Sequence, residues 1–379
     1  MTRLLAFGVF LALVCLVIHL RFVRGTRLPR PYSLVADAVL AIMWALALVG
    51  IGSGELFDPS WARMPGFLGL TWLAVILYLV LGTLLVGVVT LGIRIVSSLR
   101  GRDSGAIRFG VNRLGSALVA AASVVAVTYG VFEASEPRIT NTTVALERLP
   151  AEFDGLRVAL VSDLHVGPAR GESFVQKVVD DINAQAPDLI LLDGDLIDGT
   201  VDLVGSDLNP LRELSAPLGV FGVSGNHEFY ADDGGKWLDL WSTLGITVLR
   251  NDREEVTRNG VSIDIAGIND ATAPAPYEPD LTVALEGRQS DRFVLLLAHQ
   301  PKQAHEASEM GVDMQVSGHT HAGQIWPLRY LVPLQQPSVE GLDRIGGTTL
   351  FTTRGAGAWG PPVRVAAPPE ISMLQLVGA

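Results

Sequence analysis

Two kinds of hydrophobic pattern divide the chain near residue 132. Before that point the apolar runs are long, and each approaches the roughly 20 residues that cross a bilayer as a helix. These runs cover residues 4–20, 34–52, 67–89 and 114–132. Beyond it the apolar runs are short and polar segments separate them. The pattern predicts a transmembrane domain of four helices over residues 1–132, a connector over 133–153 and a globular domain over 154–379.

Within the globular domain, predicted strands alternate with predicted helices. Buried strands are indicated by LRVALVSD (156–163), DLILLDGD (188–195), GVFGVSGN (219–226), RFVLLLAH (292–299) and DMQVSGH (313–319). Helical spacing is found in residues 171–186, 235–245 and 301–310, and a helix is possible around 208–214. The pair Asn259-Gly260 predicts a hairpin turn. Alternation of this kind is typical of βαβ units, so the fold class is α/β.

The charge balance differs between the two parts. Residues 1–132 hold 11 arginines, no lysine and four acidic residues, which is a net charge of +7. Residues 133–379 hold 17 basic and 35 acidic residues, which is −18. An acidic domain argues against nucleic acid as the partner, because binding to a phosphate backbone requires a basic surface. The single cysteine, Cys15, lies in the first apolar run and leaves no possibility of an intramolecular disulfide.

Arginines in the loops predict the orientation of the four helices. The loop after the first run carries Arg21, Arg24, Arg27 and Arg30, and the loop after the third carries Arg94, Arg100, Arg102, Arg108 and Arg113. The loop after the second run is mostly acidic, with Glu55 and Asp58 against Arg63. Positively charged loops stay in the cytoplasm. We therefore expect a multi-pass cell-membrane protein whose N terminus and globular domain both lie outside the cytoplasm.

Polar side chains follow five of the predicted strands, at the point where each strand ends. They are Asp163 and His165, Asp195 and Asp198, Asn226 and His227, His299, and His319 and His321. In open α/β sheets ligands bind beyond the carboxyl ends of the strands, so the five loops are expected to converge on one site. Carboxylates, a carboxamide and imidazoles without thiolates suit Mn²⁺, iron or Zn²⁺. The set is large enough for two ions, which together can clamp a phosphoryl group.

Each of these motifs also has an ordinary structural explanation when it is taken alone. An acidic residue after a strand, such as Asp193 or Asp198, can cap a turn or a helix. The segments GNHE and GHTH can be polar loops without a chemical task. Five such motifs in one chain, each closing a hydrophobic strand, favour a shared metal site over five separate accidents.

In their order these motifs resemble the signature of the calcineurin-like metallophosphoesterase superfamily. That signature is D-x-H, G-D-x-x-D, G-N-H-[ED], H and G-H-x-H. The chain matches it with residues 163–165, 194–198, 225–228, 299 and 318–321. The segments FDGLRVALVSDLH, GHTHAGQIWP and PPVRVAAPPEISMLQL are similar to the bacterial membrane-associated subgroup with N-terminal transmembrane helices. The resemblance covers about residues 155–375 and implies a four-layer α/β/β/α sandwich.

The resemblance also implies a role for each residue. One divalent ion would be held by Asp163, His165, Asp195 and His321, and a second by Asp195, Asn226, His299 and His319. A hydroxide between the two ions, with Asp195 bridging them, would attack phosphorus in line. His227 would protonate the leaving oxygen or stabilise the developing charge. Asp198 would orient one of the ligand histidines. The ions could be manganese, iron or zinc.

We therefore expect a membrane-anchored phosphodiesterase that acts on an envelope or lipid-linked phosphoester. A pyrophosphatase acting on a nucleotide-linked lipid is one alternative. A non-catalytic membrane sensor or scaffold is another, although loss of a ligand or of His227 would usually mark it and neither is lost here. A transporter with an accessory enzyme domain would place more polar groups in the helices than Asp37, which lies within reach of Arg30 near a helix start.

Overall fold

Long apolar helices form the first third of the protein. The computed structural model describes residues 2–379. Its first helices are α1 (Thr2–Ile18), α2 (Arg30–Gly52), α3 (Pro59–Leu99) and α4 (Gly105–Glu133), and α1 continues as a π-helix over His19–Arg24. All four are long and apolar enough to cross a membrane, as the hydropathy pattern predicts. The 41 residues of α3 rise by about 1.5 Å each. This helix is therefore longer than the roughly 30 Å hydrocarbon core that it would cross.

Glycines allow α2 and α3 to approach each other closely. A Cβ atom at Gly69 would lie 2.1 Å from the carbonyl oxygen of Leu46, so this contact excludes every larger residue. The one acidic residue predicted within a span, Asp37, pairs with His19 rather than with Arg30, and the two side-chain atoms are 2.6 Å apart. A histidine at the end of one helix therefore satisfies the carboxylate of the next.

The chain folds into two compact units. One comprises the residues up to Phe132 together with Gly360–Val363, and the other comprises Glu133–Trp359 and Arg364–Ala379. The helices of the second unit are α5 (Glu172–Ala184), α6 (Val201–Val204), α7 (Gly234–Thr243), α8 (Leu281–Ala284) and α9 (Ala304–Glu309). Its strands are β1 (Arg138–Leu146), β2 (Leu156–Val161), β3 (Leu189–Asp193), β4 (Val220–Val223), β5 (Thr247–Val248), β6 (Asp252–Arg258), β7 (Val261–Gly267), β8 (Val294–Leu297), β9 (Met314–Ser317), β10 (Gly341–Ile345), β11 (Thr348–Thr352) and β12 (Glu370–Gly378).

The strands form two six-stranded sheets. The first has the order β1-β12-β2-β3-β4-β5 and the second β10-β11-β9-β8-β7-β6. Strands β2 to β5 are parallel, and so are β7, β8, β9 and β11. Each sheet therefore has a parallel centre, whose strands all end at one edge. The loops that carry the predicted site residues leave from these edges.

Hydrophobic side chains hold the sheets face to face and cover their outer faces with helices. Leu189 and Leu191 of β3 are fully buried in one core with Ile263, Leu295 and residues of the facing sheet. Their neighbours in the sequence, such as Ile190, point the other way and pack with α5 and α7. A third core joins the outer face of the second sheet to α8 and α9. The four-layer α/β/β/α sandwich is thus confirmed.

The structure confirms the predicted hairpin turn and corrects one predicted helix. The Asn259-Gly260 pair has φ values of 53° and 85° and turns the hairpin between β6 and β7. The segment predicted as a helix around 208–214 is instead a 3₁₀-helix over Gly205–Glu213. Pro210 lies inside it. Inside an α-helix a proline loses the bond to the carbonyl four residues earlier, and its ring clashes with that carbonyl, so a regular α-helix is disfavoured here.

Candidate metal centre

The loops after five parallel strands bring the predicted residues together. Asp163 and His165 follow β2, Asp195 and Asp198 follow β3, Asn226 and His227 follow β4, His299 follows β8, and His319 and His321 follow β9. Atoms of seven of them form three overlapping groups of possible metal ligands. The two remaining residues, Asn226 and Asp198, are hydrogen-bonded to histidines of these groups. All nine predicted positions therefore belong to one site.

The first group consists of Asp163, His165 and His321, all of them buried. The Nε2 atoms of the two histidines lie 3.0 Å apart. Nε2 of His321 is 3.1 Å from a carboxylate oxygen of Asp163, and Nε2 of His165 is 3.8 Å from the same oxygen. Two imidazole nitrogens and one carboxylate oxygen, all on buried residues, thus converge on one point.

The second group consists of Asp195, His299 and His319. Nδ1 of His299 is 2.6 Å from the backbone oxygen of Asp193, to which it can donate its proton. Nε2 of His299 then presents a lone pair toward the carboxylate of Asp195, 3.2 Å away. The geometry of this close pair is not that of a hydrogen bond. Nε2 of His299 is therefore buried without a hydrogen-bond partner among the described residues. Burial opposes protonation of His299, but the charge of Asp195 raises its pKa well above the ordinary value, so this pair attracts a positive charge, either a proton or a metal ion that displaces it.

Asp195 joins the two groups. Besides its approach to His299, the same oxygen lies 3.9 Å from Nε2 of His165 in the first group and 3.9 Å from Nε2 of His227. The other oxygen accepts a hydrogen bond from the backbone N–H of His227. One carboxylate oxygen is therefore held by the backbone, and the other faces both groups.

The electrostatics of the first group also favour a cation. Burial alone would lower the pKa of His165, but the negative charges of Asp198 and Asp163 raise it to about 10. Burial would likewise raise the pKa of Asp163, yet its interactions with His321 and the hydrogen bonds from both histidines keep it well below its ordinary value. For His321, burial dominates and lowers the pKa to about 3. His321 is therefore neutral beside the ionised Asp163, which is the form that binds metal ions, and an ion bound by His165 would displace the proton that the carboxylates hold there.

One carboxylate orients two histidines. Asp198 is hydrogen-bonded through one oxygen to Nδ1 of His165 at 3.1 Å and to Nδ1 of His227 at 2.5 Å. Both imidazoles therefore turn Nε2 toward Asp195. Burial opposes protonation of His227, but Asp195 and Asp198 raise its pKa above the ordinary value. Asp198 contacts one more histidine than the sequence suggests.

Strained backbone accompanies the ligand residues. Twelve non-glycine residues in the described part of the chain have positive φ, and five of them are Asp163, His165, Asp195, His319 and His321, with φ between 49° and 67°. A side chain with a Cβ atom rarely adopts this left-handed region, which costs about 1–3 kcal/mol per residue. Strain concentrated on the candidate ligands indicates that their direction matters more than local stability.

Glu228, the fourth residue of GNHE, has a structural role that its motif alone does not predict. It is fully buried and accepts hydrogen bonds from the backbone N–H groups of Asp195, Leu196 and Gly225, at 2.7–3.0 Å. Burial and the charge of Asp195 raise its pKa to about 7, although the N–H donors oppose this shift. Glu228 therefore fixes the loop of Asp195 to the loop of Asn226 and His227.

Arg364, in the segment PPVRVAAPPEISMLQL, is fully buried beside the site, which the sequence does not predict. Its guanidinium donates to the backbone oxygens of His321, Arg354, Gly355, Gly357 and Ala367 and lies 2.9 Å from Nδ1 of His321. Burial lowers its pKa to about 9. A single arginine thus positions the backbone and ring of His321 against the loop of residues 354–357.

Two aromatic side chains flank His227. The ring centroid of Tyr230 is 4.7 Å from that of His227, and the centroid of Trp359 is 6.2 Å away. Both aromatic residues are more than half exposed. We call this pair the aromatic rim. The exposure of Trp359 beside His227 favours a contact with substrate over a packing role for this side chain.

The chain is similar to known proteins over the part that carries these motifs. The profile of the family described as calcineurin-like phosphoesterase matches residues 156–323. An uncharacterized metallophosphoesterase of Helicobacter pylori is 39% identical over 247 residues, which are 64% of this chain and 65% of that protein. A transmembrane protein with metallophosphoesterase domain from Danio rerio is 36% identical over 67% of this chain and 61% of its own length. The match therefore spans less than two thirds of these two relatives. An uncharacterized metallophosphoesterase of Bacillus subtilis is 33% identical over 69% of this chain and 93% of its own length.

Proposed function

This chain belongs to the calcineurin-like phosphoesterase family, and we propose that it is a membrane-anchored phosphodiesterase that uses two divalent metal ions. Phosphoric ester hydrolysis is the activity of the family, and the His/Asp groups suit divalent ions. The observation that carries the proposal is the position of Asp195, whose one free oxygen faces both ligand groups. A bridging carboxylate is the usual element of a two-ion phosphoryl clamp.

The ligands divide between the two ions around Asp195. Asp163, His165, Asp195 and His321 would hold one ion, and Asp195, Asn226, His299 and His319 the other. The buried acceptor on His299 and the convergent Nε2 atoms of His165 and His321 support this assignment. When bound, such ions supply charge neutralisation of the phosphoryl group and lower the pKa of water. Manganese, iron and zinc all accept this mixture of oxygen and imidazole ligands, and Mn²⁺ is the ion used in the test below.

His227 is the residue that we assign to the leaving group. Asp198 holds its Nδ1, so Nε2 faces the site and can donate a proton to the departing oxygen. General-acid catalysis of this kind contributes about 10²–10⁴-fold. The backbone N–H of His227 is bound to Asp195, which keeps the proton donor in register with the bridging carboxylate.

The aromatic rim supports an organic leaving group and therefore a diester. Tyr230 and Trp359 both contact the ring of His227, so a group protonated there departs along an aromatic surface. The membrane anchor supports an envelope or lipid-linked phosphoester as substrate, because such a compound is within reach of an anchored domain. The same features suit a pyrophosphatase acting on a nucleotide-linked lipid. A non-catalytic scaffold is less well supported, since His227 and every candidate ligand are present.

We assign the catalytic domain to residues 154–379, after a transmembrane domain over 1–132 and a connector over 133–153. The arginine-rich loops after the first and third helices support a cytoplasmic location for both turns. In that topology the N terminus and the catalytic domain lie outside the cytoplasm. This topology is tested with a cysteine introduced at Thr2 or Ala379 in a Cys15→Ala background. Intact cells are treated with a membrane-impermeant thiol reagent, and we expect the introduced cysteine to be modified. Modification only after permeabilisation would reverse the assignment.

The activity is tested on the full chain in lipid nanodiscs. Metal is removed with a chelator, Mn²⁺ is added back, and hydrolysis of bis(p-nitrophenyl) phosphate is compared with that of p-nitrophenyl phosphate. We expect Mn²⁺-dependent cleavage that favours the diester, two bound Mn²⁺ per chain by calorimetry, and loss of turnover without loss of Mn²⁺ binding in His227→Asn. Preference for the monoester would overturn the diesterase assignment. Two bound ions without turnover on either compound or on vesicle-borne phosphodiesters would favour the scaffold.

A further inference from the structure

An exposed apolar segment follows the GHTH motif directly. In residues 326–334, which we call the apolar loop, Trp326, Tyr330, Leu331 and Leu334 are 48%, 69%, 57% and 80% exposed. The segment forms two short 3₁₀ turns, Leu328–Tyr330 and Val332–Leu334. Single exposed apolar residues are common on any protein, but four within nine residues form a patch of the kind that marks an interaction surface.

Backbone contacts fix the first half of the apolar loop, and the chain beyond its end is bonded to the metal-binding loop. The backbone N–H of Trp326 donates to the oxygen of Val365 at 3.0 Å. Gly323 lies so close to Arg329 that a Cβ atom would come within 2.3 Å of its Cα. On the far side, the hydroxyl of Thr320, between His319 and His321, donates to the backbone oxygen of Val339 at 2.7 Å. The exposed side chains are therefore presented by an anchored loop beside the candidate centre.

Charge distinguishes this loop from the rest of its domain. Residues 133–379 carry a net charge of −18, yet residues 314–339 contain no aspartate or glutamate. The one charged side chain of the loop, Arg329, is 3.0 Å from Glu340 and is thereby neutralised. An acidic protein approaches the anionic surface of a membrane most readily where it carries no acidic residue.

The partner that fits this surface is the bilayer. Four helices of the same chain can cross a membrane, and only residues 134–137 separate α4 from β1. A tether of this length keeps a bilayer at high local concentration around the second unit. Tryptophan, tyrosine and leucine are residues that favour the boundary between headgroups and acyl chains. We propose that the apolar loop inserts into this boundary and holds the candidate metal centre at the membrane surface.

The proposal is tested with single nitroxide labels on the full chain in vesicles of phosphatidylcholine and phosphatidylglycerol. Labels are attached at Leu334→Cys and, separately, Leu331→Cys, in a Cys15→Ala background. Val283→Cys on α8 is the matched control, because Val283 is 53% exposed on the same unit. Power-saturation EPR compares collisions with oxygen, which concentrates in acyl chains, and with a polar nickel chelate, which stays in water.

We expect labels at 331 and 334 to collide more often with oxygen than with the nickel chelate, and the label at 283 to show the reverse. Aqueous values at all three positions would overturn the proposal. Dipolar broadening between labels at 334 that disappears on dilution with unlabelled protein would also overturn it, since it would assign the loop to a contact between two copies. Neither measurement depends on turnover, so the outcome is independent of the proposed phosphodiesterase activity.

Discussion

The two units of this protein depend on their sequences in different ways. In residues 2–132 the requirement is a sufficient length of apolar side chain, and many residues meet it equally well. In residues 133–379 nine side chains on five loops must reach one point, with five of them on strained backbone. A substitution in the first unit therefore matters where helices touch, and one in the second matters where a side chain is aimed. The predictions below test this contrast, from the largest expected effect to the smallest.

Asp195→Asn should have the largest effect. It preserves the size of the side chain but removes the charge that both ligand groups face. We expect kcat/KM for bis(p-nitrophenyl) phosphate to fall by more than the roughly 10–100-fold that follows loss of a residue around a metal ligand. Mn²⁺ binding should weaken in calorimetry as well. The exposed Asp202→Asn serves as the matched control, and Mn²⁺ affinity equal to wild type in Asp195→Asn would contradict the bridging role.

Asp198→Asn should have a smaller effect on the same chemistry. Asp198 contacts two histidines and faces no metal group directly, so its loss should lower kcat about 10–100-fold. The double variant with His227→Asn shows which histidine carries the effect. If Asp198 acts through His227, its substitution should cost less in the His227→Asn background than in wild type. If the effects of the two substitutions simply add, Asp198 acts through His165 instead.

Arg364→Met should lower the free energy of unfolding more than most substitutions on the surface do. Its guanidinium donates to five backbone oxygens, of which those of Arg354, Gly357 and Ala367 have no second backbone donor in the hydrogen bonds described. Each buried acceptor left alone costs about 1–3 kcal/mol. We expect a loss of at least about 3 kcal/mol and a lower melting temperature by tryptophan fluorescence. Arg364→Lys should recover part of it, because lysine keeps the charge but has fewer donors.

Arg344→Met is the matched control for that experiment. Arg344 forms an exposed pair with Glu147 at 3.5 Å. Exposed pairs contribute about 0–1 kcal/mol, so this variant should melt close to wild type. Equal melting temperatures for Arg364→Met and Arg344→Met would show that the buried guanidinium is not required for folding.

Within the membrane helices, Gly69→Val changes a helix–helix contact, whereas Leu85→Ile replaces one exposed apolar side chain with another. We expect only the first to reduce stability. Valine at position 69 would collide with the backbone of Leu46, and such overpacking costs about 1–3 kcal/mol. Leu85 is largely exposed on α3, where a change to isoleucine should stay within about 0.5 kcal/mol. Thermal unfolding in detergent measures both. A Leu85→Ile variant as unstable as Gly69→Val would contradict the interchangeability of apolar residues in this unit.

The sequence predicts what depends on periodicity and on strand ends. Apolar length identified the four helices, and alternation of strands and helices identified the α/β class. The nine site positions were found because each follows a hydrophobic strand, and parallel strands end at one edge. Their convergence is thus a consequence of topology that a sequence can reveal.

Other features depend on contacts between distant segments. Arg364 is 43 residues from His321 in the sequence, and a lone arginine near a proline-rich stretch carries no periodic signal. Glu228 accepts from backbone groups, which look alike at every position of a sequence. The helix expected around 208–214 became a 3₁₀-helix because Pro210 removes a donor that hydropathy ignores. These features became visible only when the chain was folded.

The left-handed backbone of five candidate ligands bears on protein design. Copying the side chains of Asp163, His165, Asp195, His319 and His321 onto another sandwich would not transfer the site, because each needs a loop that enforces positive φ. A recipient scaffold would have to offset about 1–3 kcal/mol at each such position. Here buried anchors such as Glu228 and Arg364 surround these turns. A transfer of the site to another scaffold would therefore have to include the loops and their buried anchors as well as the ligand side chains.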